Sequence, residues 1–252
     1  MEQYKKEFAL VLARTGALFF DDGLILKDGR PTPYFVNMAM FRTGKLAMKL
    51  GSFYAGMMVS EGLDTRTDII LGPSYKGSSI ALATAMALWQ EHGKDVFFDY
   101  DRKEAKIHGE ASSRKSLLVN RTLFDGCRIF IVDDVATSMA TKVELLDKIK
   151  SEAMSLGIKY EIVGIGIGVD REQTTAVYDR NGKVKLGVKG KNAIKDFEAR
   201  TGVRVFPVIR IREVIAFLYQ EGIPVMINGE KIPMARDIKK RFDDYLGTYG
   251  AT

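Results

Sequence analysis

Ile129-Phe130-Ile131-Val132-Asp133-Asp134-Val135-Ala136-Thr137-Ser138-Met139-Ala140-Thr141 runs from a β-branched apolar stretch into two adjacent carboxylates, then a hydroxyl-bearing turn and the start of a helical pattern. A strand over 128–132 followed by a helix over 140–155 makes a βα unit, with its turn at the strand's carboxyl end. The helix start offers unpaired N–H groups and a positive dipole end, which suit an anion. The carboxylates suit hydroxyls or a hydrated Mg²⁺. Capping by Asp134 and Thr137 explains one acid and one hydroxyl, but not two acids at one strand end. A phosphorylated sugar has both features such a turn would hold.

The same strand–turn–helix order recurs on both sides. Residues 2–15 and 44–62 have helical spacing and end at Gly16 and Gly62. Leu24-Ile25-Leu26, the turn Lys27-Asp28-Gly29-Arg30 and Tyr34-Phe35-Val36 read as extended chain around a turn. Ile69-Ile70-Leu71 enters Gly72-Pro73-Ser74-Tyr75-Lys76-Gly77, followed by an alanine-rich helix over 78–91; 96–100 is the next strand. Further strands are expected over 162–169, broken by three glycines, and over 203–209, with a helix over 211–220. Alternating strands and helices predict an α/β fold with a mostly parallel twisted sheet flanked by helices. In such sheets ligands sit beyond the carboxyl ends of the strands. Residues 111–127 and 172–200 read as insertions and 228–252 as a tail helix, all within one domain.

The chain has 252 residues, 46% hydrophobic and 28% charged, which excludes disordered and collagen-like classes. Its longest apolar candidate, residues 80–89, is too short to span a membrane. The polar N-terminus lacks the apolar core of a secretory signal, so a cytoplasmic location is expected. One cysteine and two histidines leave little for a disulfide or a zinc cage, so any metal should be a hard ion held by oxygens. The net charge of +6 favours polyanions. Neither basic stretch, 101–121 or 183–195, interleaves aromatics with its cations, so small anionic ligands are expected rather than nucleic acid. Cys127, Met57, Met58 and Met86 read as packing residues, and His92 as a helix-end residue before Gly93.

Three further constellations follow strands. Lys76 opens the helix after the 72–77 turn, where a second phosphate or a diphosphate could bind, although a tight turn with a solvated lysine looks the same. Arg102-Lys103-Glu104-Ala105-Lys106-Ile107-His108-Gly109-Glu110 gathers three cations and a histidine; alone, it would be a solvated loop. Gly168-Val169-Asp170-Arg171-Glu172 places an arginine where it could fork onto a carboxylate, or merely pair with its neighbours.

Together with Lys27-Asp28-Gly29-Arg30, these segments resemble the orotate phosphoribosyltransferases, in the family's order and over most of residues 1–225. The 102–110 run, similar to that family's mobile catalytic loop, is the most specific match. The resemblance implies a type I phosphoribosyltransferase-like fold: an N-terminal hood and base pocket (1–42), a core (43–225) and a tail helix (226–252). It implies transfer of phosphoribosyl from 5-phosphoribosyl 1-diphosphate to orotate, giving orotidine 5′-phosphate and diphosphate. Lys27, Tyr75 and Lys76 would contact diphosphate or orotate, and Phe35 would line the base pocket. Arg102, Lys103, Lys106 and His108 would close over the diphosphate from the neighbouring subunit of a homodimer. Asp133 and Asp134 would hold the ribose hydroxyls, the turn of Thr137, Ser138, Met139, Ala140 and Thr141 the 5′-phosphate, and Arg171 the orotate carboxylate. Mg²⁺ would be held mainly by the diphosphate.

The chain departs from the family's pattern where Met139 replaces a glycine whose missing Cβ lets backbone approach phosphate closely; Thr141 would supply a displaced hydroxyl. Val36 replaces an aromatic, and the segments after 110 and 172 are longer. Two alternatives stay open: another base as acceptor, or a regulatory protein that binds ribose phosphates without turnover.

Overall fold

Apolar spacing and a glycine stop produce the first helix. In the computed structural model, which describes residues 1–103, 116–136 and 139–251, α1 (Gln3–Thr15) buries Phe8, Val11 and Leu12 and is closed by Gly16 at φ 69°. A residue with a Cβ would pay roughly 1–2 kcal/mol to sit there. The expectations placed on Lys106, His108, Thr137 and Ser138 lie outside the described residues.

β1 (Leu18–Phe20) and β2 (Tyr34–Val36) pair antiparallel. Residues 24–26, read as extended, form no strand; Ile25 makes only an isolated bridge to Pro31. Then come α2 (Gly44–Ser60), capped by the Thr43 hydroxyl, β3 (Ile69–Gly72), α3 (Lys76–His92), β4 (Phe97–Tyr100), β5 (Cys127–Val135) and α4 (Ala140–Leu156). β6 (Tyr160–Asp170), α5 (Ala193–Thr201), β7 (Val205–Arg210) and α6 (Ile211–Gln220) complete the alternation. β8 (Pro224–Ile227), β9 (Glu230–Pro233) and α7 (Arg236–Tyr249) end the chain.

The main sheet has the order β4-β3-β5-β6-β7, parallel throughout, as the alternation of elements requires. Period-two alternation divides its side chains between two cores. Phe130 and Val132 join Ile70 against α1, α2, α3 and α6. Ile129 and Ile131 join Ile69, Leu71 and Ile165 against Leu145 and Ile149 of α4 and Phe197 of α5. The glycines in β6 do not interrupt it. A Cβ at Gly166 would come within 2.9 Å of the Phe130 ring, and one at Gly168 within 2.9 Å of the Tyr54 hydroxyl. Glycine is used there because neighbouring aromatics fill the space.

Four more expectations are corrected. The acidic pair belongs to β5 itself, whose pairing with β6 continues to Val135 and Val169. Residues 193–201 of the presumed insertion form α5, its first turn capped by the Asn192 side chain. The tail begins as the β8–β9 hairpin, not as helix; β8 adds parallel to β1, giving a second sheet of order β2-β1-β8-β9. Met86 is exposed, because 100° per residue turns it away from the buried Ala81, Ala85 and Leu88. Among the described residues no helix is long and apolar enough to cross a membrane.

Candidate active site

The carboxyl ends of β3, β5 and β6, together with β2 of the small sheet, surround a cleft of about 470 Å³. The turn after β3 is tight. A Cβ on Gly72 would lie 2.0 Å from the Gly77 carbonyl oxygen, and one on Gly77 would lie 2.5 Å from Pro73 Cδ. Buried Asp101 fastens this turn by accepting from the Ser74 N–H at 2.6 Å, and it is ion-paired with Lys148 of α4. At the turn's end Tyr75 is exposed, and Lys76 reaches across the cleft to Asp134 Oδ2 at 2.7 Å.

The two carboxylates of β5 differ in setting. Asp133 is buried and ion-paired with Lys142, whose ammonium also donates to the Val135 carbonyl oxygen at 3.1 Å. Burial pushes the Asp133 carboxyl up, opposed by the Lys142 ammonium. The buried Tyr54 hydroxyl donates to the Asp133 carbonyl oxygen at 2.6 Å, so the strand end is pinned from α2. Asp134 is more accessible and meets Lys76, a cation with room to turn toward a ligand.

Arg171 follows β6 and is 8% exposed. Its guanidinium carbon lies 5.7 Å from both the Tyr34 and Phe35 ring centres, and its Nε and Nη2 have no hydrogen-bond partner among the described residues. A buried planar cation with unused donors, flanked by aromatic rings, suits a planar anion.

The cleft therefore brings together Phe35, Tyr75, Lys76, Asp133, Asp134, Thr141 and Arg171. Lys27 stands exposed on its turn and does not line the cleft; nor do Arg102, Lys103, Ala140 and Met139. Met139 takes φ 60° and ψ 3° and buries its side chain in the second core. Lys142, Asn37 and Met38 line the cleft without having been anticipated. For Lys142 a signal existed: residues 142, 145, 149 and 152 recur on the buried face of α4. A hard metal ion finds few protein donors, since among the described residues no three His, Cys, Asp or Glu side chains converge.

No family model matches the chain. It is 33% identical over 251 residues to an orotate phosphoribosyltransferase of Clostridium botulinum (strain Alaska E43 / Type E3), covering 100% of both chains. It is 33% identical over 249 residues to one of Bifidobacterium adolescentis, covering 97% of this chain and 96% of the relative. Among solved structures, that of orotate phosphoribosyltransferase from Francisella tularensis superposes with a TM-score of 0.70 at 22% identity, covering 97% of this chain and 98% of the other. The Mycobacterium tuberculosis enzyme in complex with 5-phospho-α-D-ribosyl 1-diphosphate superposes with a TM-score of 0.54 at 16% identity, over 84% of this chain and 98% of the other.

Proposed function

The chain belongs to the orotate phosphoribosyltransferases, and from that premise we propose how its own residues carry the reaction. The enzyme transfers the phosphoribosyl group of 5-phosphoribosyl 1-diphosphate to orotate, a step of pyrimidine biosynthesis. The C1–O bond to diphosphate breaks as the bond from the orotate ring nitrogen to C1 forms on the opposite face, and the anomeric centre inverts. Positive charge accumulates on the ribose and negative charge on the departing diphosphate.

Asp133 and Asp134 accept the ribose hydroxyls. Lys76 leaves Asp134 for the diphosphate; their exposed contact is weak enough to exchange. The turn from Thr137 to Thr141 receives the 5′-phosphate at the start of α4. Arg171 takes the orotate carboxylate, with Phe35 against the base. Lys27 contacts the diphosphate or orotate, while Arg102, Lys103, Lys106 and His108 of the neighbouring subunit add positive charge as the bond breaks, which raises the rate because it is worth more in the transition state than before it. Mg²⁺ would be held chiefly by diphosphate oxygens, with Asp133 or Asp134 as a contact through water, and would neutralise leaving-group charge. No side chain acts as a covalent nucleophile.

The working unit is a homodimer. On α3, Leu82, Met86 and Trp89 lie at i, i+4 and i+7 and are exposed, an apolar stripe suited to a second copy of this chain.

The observation that carries the choice of base is Arg171, buried between aromatic rings with its Nε and Nη2 unpartnered among the described residues. Neutral bases offer it no carboxylate, and a buried cation left unpaired disfavours them. Purified protein is mixed with Mg²⁺, 5-phosphoribosyl 1-diphosphate and one of orotate, uracil or adenine, and base absorbance is followed. Loss of orotate alone is expected; turnover of uracil or adenine at a similar rate would sink the role of Arg171.

A further inference from the structure

Arg171 has neither an ion-pair partner nor a hydrogen-bond acceptor for Nε and Nη2 among the described residues. Its direction is therefore set by what it packs against and by the backbone that carries it. That backbone is clasped by the end of the chain. The Thr174 N–H and hydroxyl donate to the Tyr249 carbonyl oxygen at 2.8 and 3.0 Å, and the Ala251 N–H donates to the Glu172 carbonyl oxygen at 2.8 Å. Between these anchors the Gln173 amide donates to the Tyr245 hydroxyl at 2.8 Å and to the Tyr34 hydroxyl at 3.3 Å. The Tyr34 hydroxyl in turn donates to the carbonyl oxygen of Arg171 at 3.2 Å, and its ring is one of the two flanking the guanidinium. The rings of Phe242 and Tyr245 stand edge-on to Tyr34, at 5.2 and 6.0 Å between centres.

We propose that Gln173 and Tyr245 are positioning residues for orotate: through Tyr34 they hold Arg171 at the angle at which it meets the carboxylate, which makes the C-terminal helix a working part of the base pocket. The proposal rests on the assignment of Arg171 to the orotate carboxylate. A helix that only closed the core would support both substrates alike. A clasp on Arg171 acts on orotate alone, because the residues assigned to the ribose phosphate sit on β5, α3 and α4, none of which the clasp touches through these bonds.

The test compares Gln173→Met and Tyr245→Phe, which keep volume and remove the bonds, with Arg171→Ala and the double variants. Losing one net hydrogen bond corresponds to about a three- to tenfold change in an equilibrium. Each single variant is expected to raise KM for orotate about three- to tenfold while KM for 5-phosphoribosyl 1-diphosphate and kcat stay within about twofold. In an Arg171→Ala background the same substitutions are expected to add nothing further to the loss of orotate binding, measured by titration calorimetry. Equal changes in both KM values, or additive losses in that background, would overturn the positioning role. So would a shift confined to thermal stability. Should Arg171→Ala leave orotate binding untouched, the carboxylate assignment itself fails; should it weaken binding while Gln173→Met and Tyr245→Phe do not, only the clasp fails.

Discussion

Met139 sits in the left-handed region at φ 60°, where a side chain costs roughly 1–2 kcal/mol relative to glycine. The same side chain is only 2% exposed, packed in the second core beside α4, and truncating a buried methionine costs about 2–5 kcal/mol. Burial outweighs backbone strain. Met139→Gly is therefore expected to lower unfolding stability by about 1–3 kcal/mol in urea titrations. Because the side chain turns into the core and does not line the cleft, KM for 5-phosphoribosyl 1-diphosphate should stay within about twofold. A large fall in that KM would instead show that the Cβ had been holding phosphate away. A glycine in the family's pattern serves close approach; here a methionine meets the backbone requirement at a cost that its own packing offsets.

At the scale of elements, the parallel strands are aligned by side chains as well as by ladders. Arg128 at the start of β5 forks onto Asp68 before β3, with Nε and Nη2 at 3.0 and 2.8 Å, and its own N–H donates to the same carboxylate at 2.8 Å. The Arg128 guanidinium holds the Asp68 carboxyl below its usual range, with slight burial opposing. An acid whose folded pKa is depressed contributes stability above its unfolded value, and that stability is lost as pH falls through the folded value. Asp68→Asn should thus cost about 1 kcal/mol near neutrality. Its Tm deficit against the parent should hold from neutral pH down to the ordinary carboxylate range and shrink only as pH falls below it, toward the depressed folded value. A deficit independent of pH would mean that the ion pair contributes nothing.

Elements such as these were legible where their causes are local. Two carboxylates after an apolar run, a glycine-bounded turn after Leu71 and an arginine after Val169 each mark a strand's carboxyl end, and the cleft collects Asp133, Asp134, Lys76 and Arg171. The small sheet was not legible, since Phe19 pairs with Met226 across most of the chain and no local pattern encodes that. Lys142 escaped because a lysine in a first helical turn ordinarily reads as solvated, whereas its partner Asp133 is nine positions back on the neighbouring strand.

Among the described residues, large apolar side chains stand exposed on α3 and at the edge of the main sheet. α3 buries Ile80, Ala81, Thr84 and Leu88 against the sheet while Leu82, Met86 and Trp89 face outward, and at the edge strand β4 Phe97 meets Phe124 at 6.2 Å, both exposed. The homodimer proposed above, with Lys106 of one subunit serving the cleft of the other, is expected to pair through these side chains. That arrangement makes a sharp prediction about mixtures. Lys106→Ala and Arg171→Ala homodimers should each be nearly inactive. If the lysine acts across the interface, a mixed dimer has one cleft with both defects and one with neither. Subunit exchange in an equal mixture should then restore up to about one quarter of parental activity, because half the dimers are mixed and half of their sites are intact. If the lysine serves its own cleft, every site in the mixture carries one defect and activity stays at the level of the separate variants. Light scattering on the same samples fixes the oligomeric state, and a monomer that turns over orotate would remove the shared-site arrangement altogether.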